Sequence, residues 1–145
     1  MKLELIKVME LGAEERLVKH NMAEDYRRHN IVWDDAGFRQ CWTETENYGL
    51  RWSGFEVGLL SLDEDAQALY IRNLQIVEPF QGEGFGAAAL DVSLKLARQR
   101  NKQWLRLRAF TDSRALSLYR RFGFEAVKTE GAFTALQCRV DPLKR

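Results

Sequence analysis

Apolar positions along the chain recur every second residue in some stretches and every third or fourth in others, and the two periods separate strands from helices. Met1–Met9 alternates loosely through Leu3, Leu5 and Val8 and predicts a first strand. Ala13–His29 is rich in Glu, Arg, Lys and Ala, with Leu17, Val18, Met22 and Tyr26 spaced for one face of a helix. Asp35–Glu46, carrying Phe38 and Trp42, predicts a second, shorter helix. Tyr48–Trp52 and Phe55–Leu62 flank Ser53-Gly54 as a hairpin. The polar turn Asp63–Gln67 leads into Ala68–Val77, a strongly apolar strand.

Glu78–Gly86 (EPFQGEGFG) follows as a glycine-rich loop, then Ala87–Arg100 as a helix. The first half of that helix, AAALDVSL, is apolar on nearly all sides, so burial on more than one face is expected. Trp104–Ala109 predicts a strand. Asp112 or Ser113 can cap a helix running to Phe122, with Ala115, Leu118, Tyr119 and Phe122 at helical spacing and Gly123 as its stop. Phe124–Lys128 and Ala132–Val140 form a last strand pair around Glu130-Gly131. This order predicts an α/β chain of the mixed α+β kind, a mixed sheet with helices on both faces. There is no internal repeat or linker, and one domain over residues 1–145 is expected.

Composition narrows the function classes. Apolar residues make up 46% and charged residues 30%, a globular balance rather than a disordered one. Lys plus Arg is 22 against 21 for Asp plus Glu, so the basic excess of a phosphate-binding nucleic-acid protein is missing and no nucleic-acid partner is expected. Cys41 and Cys138 stand far apart in no CxxC pair and read as reduced, partly buried thiols. His20 and His29 lie nine residues apart in one helix without an acidic-cysteine pattern and read as surface residues, so no metal is expected. The N-terminus is interrupted by charge every few residues, which fits neither a signal peptide nor a membrane span; a cytoplasmic protein with no membrane partner is expected.

The stretch Gln81-Gly82-Glu83-Gly84-Phe85-Gly86 lies between an apolar strand and an apolar helix. The first turn of a helix leaves backbone N–H groups without partners, and the macrodipole makes the space beyond them positive. Glycines let a bulky anion reach that backbone, so a pyrophosphate fits, although a tight turn alone would also use them. A P-loop needs Gly-Lys-Ser/Thr at the helix start, whereas Ala87 and Ala88 follow Gly86. A dinucleotide loop has GxGxxG near the start of a βαβ unit, whereas here the spacing is GxGxG after several strands.

Gln81-x-x-Gly84-x-Gly86 resembles the pyrophosphate loop of the GNAT acyltransferases, Gln/Arg-x-x-Gly-x-Gly/Ala. Asp112 through Phe124 (DSRALSLYRRFGF) resembles the family's next motif, an Asn, an Ala three residues on, Leu-Tyr and then Gly-Phe. Asp112 stands where the family often has Asn, which adds a charge, and Pro79 lies one residue later than the usual proline. The resemblance covers Ala68 to Phe124 and implies a GNAT-like twisted, mostly antiparallel sheet flanked by helices. It implies acetyl-CoA as cosubstrate and direct transfer of its acetyl group to a primary amine of a small molecule or peptide. It further implies that the backbone of Leu74 and Ile76 pairs with the pantetheine arm. The N–H groups from Gly82 through Ala87, including Gly84, Phe85 and Gly86, would hold the pyrophosphate, with Gln81 framing the loop. Asp112 would contact the cofactor, and Tyr119 would be the general acid that protonates the leaving thiolate. A phenol suits that task because it is protonated at neutral pH, although the spacing of Tyr119 alone also fits a core aromatic. A homodimer through the late strands or a sheet edge is a further implication.

The chain supplies no obvious base. Neither Ala68–Val77 nor Trp104–Thr111 contains an acidic residue; Asn73 and Gln75 can hold a water there, and Glu56 and Glu78 are the nearest acids in sequence. Without a base, a non-catalytic acyl-CoA-binding regulatory module is the alternative. Arg106 and Arg108 share one strand face, either as a cationic wall for an acidic acceptor or as solvated stems over apolar surface. The acceptor pocket is expected from the N-terminal third, with Tyr26, His29, Trp33, Phe38, Trp42, Tyr48 and Trp52 as its aromatics and Asp34 or Asp35 as charge partner.

Overall fold

The structure is a computed structural model and describes residues 1–141; the end of the expected 1–145 domain, residues 142–145, lies outside the described residues. The elements are β1 (Glu4–Lys7), α1 (Glu14–Arg28), α2 (Asp35–Glu44), β2 (Glu46–Trp52), β3 (Phe55–Glu64), β4 (Ala68–Ile76), α3 (Phe85–Gln99), β5 (Trp104–Phe110), α4 (Ala115–Phe122), β6 (Glu125–Glu130) and β7 (Phe133–Arg139). A short 3₁₀ turn, Glu78–Phe80, precedes the glycine loop.

The seven strands form one sheet in the order β1-β2-β3-β4-β5-β7-β6, antiparallel except where β4 meets β5. Strand alternation sends Leu60, Leu62, Leu69, Ile71, Leu105 and Leu107 to the face covered by α3, whose Phe85, Ala89, Leu90 and Ala97 complete that core. The opposite face, under α1 and α2, is smaller and more polar: Val18, Leu59 and Phe110 are buried there, and so are Asn47 and Ser61. Helices on both faces of a mixed sheet are the expected architecture.

Three helices end by the same local device. Asn30 after α1, Asn101 after α3 and Gly123 after α4 have positive φ (55°, 58° and 122°). The next residue's N–H then returns to a carbonyl in the last turn: Ile31 to Tyr26, Lys102 to Ala97 and Phe124 to Tyr119, at 2.8, 2.9 and 3.0 Å. At the start of α4, Ser113 Oγ accepts from the Ala115 N–H at 3.1 Å, and Asp112 is turned elsewhere. Cys138 is buried, but Cys41 is exposed on α2, contrary to the expectation of two partly buried thiols. Among the described residues no helix is long and apolar enough to cross a membrane.

Candidate active site

The site begins where the parallel pair comes apart. β4 and β5 pair from Ala68↔Trp104 to Ile71↔Leu107 and no further, although β4 continues to Ile76 and β5 to Phe110. On its other edge β4 carries a bulge. Ser61 faces Asn73 while Leu62 faces Ile71, which leaves Arg72 as the extra residue and bends the strand where the gap opens. The Val77 N–H donates to the Val57 carbonyl at 2.8 Å, so antiparallel alternation turns the backbone of Gln75 and Asn73 toward β3 and that of Leu74 and Ile76 toward the gap.

Two cavities open on this gap. One, of about 630 Å³, lies among α1, the glycine loop and α4; the other, of about 600 Å³, lies beneath α2. They share three lining residues: Arg72, Asn73 and Arg108.

The first cavity gathers most of the expected cofactor residues: Leu74, Ile76, Gln81, Gly86, Asp112 and Tyr119 line it. Gly82, Gly84, Phe85 and Ala87 do not line it and adjoin it along the chain. Gly84 is the N-cap of α3 at φ 89° and Gly82 lies at φ 77°, conformations that glycine adopts without a Cβ clash. No side chain caps the helix and its first turn holds no acid. The first intrahelical bond is Ala88 N–H to the Gly84 carbonyl at 3.1 Å, which leaves the N–H groups of Phe85, Gly86 and Ala87 open for an anion. The Phe85 ring is buried edge-on against Trp52 and Phe80, at 5.3 and 5.7 Å, so only its backbone can serve a ligand. Gly86 has a packing role as well: a Cβ there would meet Leu118 Cδ2 at 3.0 Å, so its absence lets α4 approach α3. Gln81 Nε2 donates to the Ile76 carbonyl at 2.9 Å and straps the loop to the end of β4.

Tyr119 projects from α4 toward this cavity, and its hydroxyl makes no hydrogen bond among the described residues. Burial pushes the phenol up to about 12, so it keeps its proton throughout the neutral range. Asp112 is drawn into a clamp with α1. His29 Nε2 approaches its carboxylate at 2.9 Å and Arg28 Nε at 3.1 Å, and these two hydrogen bonds pull Asp112 down to about 2. His29 is therefore no plain surface residue: its ring also stacks on Phe110 at 4.8 Å.

The second cavity takes Tyr26, Trp33, Asp34, Phe38 and Trp42 from the expected acceptor segment. Asp35 lies outside it and accepts from Trp33 Nε1 at 2.9 Å. Tyr48 bonds Glu46 at 2.9 Å on the sheet, and Trp52 packs on Phe85, so neither shapes this pocket. Glu56 stands beside Arg51 and Glu78 beside His20, and neither lines either cavity. Arg106 donates to Gln137 and to the Tyr70 hydroxyl, both at 3.1 Å, which makes it a brace within the sheet. Arg108 lies over the Phe133 ring at 4.5 Å and reaches both cavities.

Sequence reasoning did not single out Arg72 and Asp63, which pair at 3.3 Å beside the gap, or Asn21. Asn21 Nδ2 donates to the Ile76 carbonyl at 3.0 Å and to Gln75 Oε1 at 3.1 Å, and Gln75 Nε2 donates to Asn73 Oδ1 at 2.8 Å. Neutral amides carry no sequence signal of such a relay. Among the described residues no group of three or more His, Cys, Asp or Glu is placed to hold a metal ion.

The family model for the acetyltransferase (GNAT) domain matches residues 29–138. No curated protein sequence matches the chain. Among solved structures, a GNAT family acetyltransferase from Elizabethkingia anophelis with acetyl-CoA bound is similar at 16% identity and TM-score 0.75, covering 94% of this chain and 97% of the other. The PaiA N-acetyltransferase of Thermoplasma acidophilum, solved with coenzyme A, gives 14% and 0.72 over 96% and 99%. The ribosomal-protein-S18-alanine N-acetyltransferase of Escherichia coli gives 14% and 0.68 over 99% and 97%. At these identities the likeness is one of fold.

Proposed function

Because the chain belongs to the GNAT acetyltransferase family, we propose that it moves the acetyl group of acetyl-CoA directly onto a primary amine of a small molecule or peptide. On this reading residues 1–145 form one transferase domain, with the cofactor in the cavity beside α3 and α4 and the acceptor in the cavity beneath α2. The observation that carries it is the convergence on one cavity of an uncapped helix start and a partly buried tyrosine whose hydroxyl has no partner among the described residues. The relatives solved with acetyl-CoA or coenzyme A support the choice of cosubstrate.

The residues divide the work. The N–H groups of Phe85, Gly86 and Ala87 hold the pyrophosphate, and the backbone of Leu74 and Ile76 receives the pantetheine arm in place of a strand. Acetyl-CoA supplies an activated acyl thioester. As the C–N bond forms and the C–S bond breaks, Tyr119 gives its proton to the departing thiolate. An ammonium acceptor sheds two protons in becoming an amide; one restores the Tyr119 phenol after it has protonated the thiolate, and the other leaves through water. Of the residues shared by the two cavities, Arg72, Asn73 and Arg108, none can take that proton, and on this reading water carries it to solvent.

The test is calorimetry of acetyl-CoA with the natural chain and with Gly84→Asp, which sets a carboxylate before the helix start. Binding by the natural chain and loss by the variant, followed by turnover with amines that falls roughly 10²-fold or more in Tyr119→Phe, supports the reading. Binding without turnover of any amine would make this a regulatory acyl-CoA module, and absence of binding by the folded natural chain removes the reading. A homodimer fits the same reading: β6 ends the sheet, is exposed along its whole length and leaves Val127 uncovered. Sedimentation of the natural chain tests it.

A further inference from the structure

The three residues common to both cavities all present hydrogen-bond donors: Arg72, Asn73 and Arg108. Their partners distinguish them. Arg72 is matched by Asp63 at 3.3 Å. Arg108 has no carboxylate within ion-pair distance among the described residues and rests on the Phe133 ring at 4.5 Å, which orients the guanidinium without neutralising it. The direction of the Asn73 amide follows from a backbone group. The Ile76 carbonyl can only accept, so Asn21 meets it with Nδ2. The same nitrogen donates to Gln75 Oε1, which makes Gln75 Nε2 the donor to Asn73 Oδ1. Asn73 Nδ2 is thereby left over, with no partner among the described residues, where the cavities meet.

An unmatched guanidinium and an unmatched amide donor on one junction fit an anionic oxygen pair. Of the acidic side chains of the acceptor cavity only Asp63 is matched by a cation, and Asp34 and Glu44 accept from neutral donors. Asp34 accepts from the Gly37 N–H at 3.0 Å, Glu44 from Gln40 at 2.6 Å, and Asp63 from Arg72. Beyond the junction the cavity is walled by Trp33, Phe38 and Trp42, with ring centroids 5.2 Å apart for Trp33 and Phe38 and 6.1 Å apart for Phe38 and Trp42. That wall takes an apolar or aromatic body.

We propose that the acceptor is an α-amino acid with an apolar or aromatic side chain, its carboxylate held by Arg108 and Asn73 and its side chain against Trp33, Phe38 and Trp42. The proposal rests on the acyltransferase reading above and narrows its acceptor.

The experiment compares L-phenylalanine and L-leucine with phenethylamine and isoamylamine, the same molecules without the carboxylate. Each is titrated calorimetrically into the protein saturated with CoA, and each is assayed with acetyl-CoA. The expected result is that the amino acids bind more tightly and react with a kcat/KM roughly 10- to 100-fold above that of the bare amines. Arg108→Gln should erase that advantage by weakening the amino acids alone, and Arg108→Lys should restore part of it. The proposal is overturned if the bare amines do as well, if Arg108→Gln leaves the ratio unchanged, or if neither amino acid binds or reacts. None of these outcomes touches acetyl-CoA binding, and turnover of any other amine keeps the acyltransferase reading; failure of the natural chain to bind acetyl-CoA removes both.

Discussion

Phe124 folds back onto Tyr119: its N–H donates to the Tyr119 carbonyl at 3.0 Å, and the two rings meet edge to face at 5.9 Å. The reversal depends on Gly123 at φ 122°, outside the range that L side chains adopt comfortably. The Gly-Phe pair after the tyrosine is thus a clamp on that tyrosine. Gly123→Ala should destabilise the fold by about 1–3 kcal/mol and lower kcat more than it weakens acetyl-CoA binding. Urea unfolding and calorimetry on the one variant measure both, and unchanged stability would remove the clamp.

Tyr119→Phe keeps the packing on Phe124 and deletes only the hydroxyl. Turnover should fall by roughly 10²-fold or more while the acetyl-CoA Kd stays close to that of the natural chain. Burial raises the phenol from 10.0 to about 12, so no part of the kcat profile between pH 7 and pH 10 should report its ionisation. The sign for stability follows from the raised value: the contribution of the neutral phenol is complete below pH 10 and is lost as pH climbs toward 12. An equal turnover by Tyr119→Phe would exclude Tyr119 as the acid.

Local periodicity made the helices legible. Ala13–His29 was expected and Glu14–Arg28 is found; Ala87–Arg100 was expected and Phe85–Gln99 is found. The second start was missed because Gly86 reads as a loop residue, whereas it lies inside the first turn and makes room for Leu118. The gap was not legible. Its position depends on pairing between Ile71 and Leu107, far apart in the chain, and on a bulge that displaces Arg72 without any glycine or proline to mark it. His29 misled for a similar reason, since its partners Phe110 and Asp112 come from the end of β5 and the turn after it, far along the chain.

The Asp112 clamp should show itself in acid. Its folded value is depressed from 3.8 to about 2, first by the hydrogen bond from His29 and then by that from Arg28. A depressed carboxylate stabilises the fold above its unfolded value and loses that contribution as pH falls from about 4 to about 2. The carboxylate is 49% exposed, so the effect is screened and should shrink in high salt. The urea midpoint of the natural chain should therefore drop across this window more than that of Asp112→Asn. Parallel curves for the two proteins would mean that the clamp adds nothing to stability.

The floor of the acceptor cavity offers a test of how buried polar groups support a site. Asn47 is 4% exposed and accepts from Ser61 Oγ at 2.7 Å and from Thr45 Oγ1 at 2.9 Å, while its own amide donates to the Trp42 carbonyl at 2.9 Å. It thereby ties the end of α2 to β3. Asn47→Leu has similar bulk but strands the Ser61 hydroxyl, itself 4% exposed, and should cost about 1–3 kcal/mol. Replacing both groups removes the stranded donor, so Asn47→Leu with Ser61→Ala should be more stable than the sum of the single changes predicts. A strictly additive pair would locate the cost in the bonds to Trp42 and Thr45. In that case the α2 connection, rather than the Ser61 contact, holds the cavity floor.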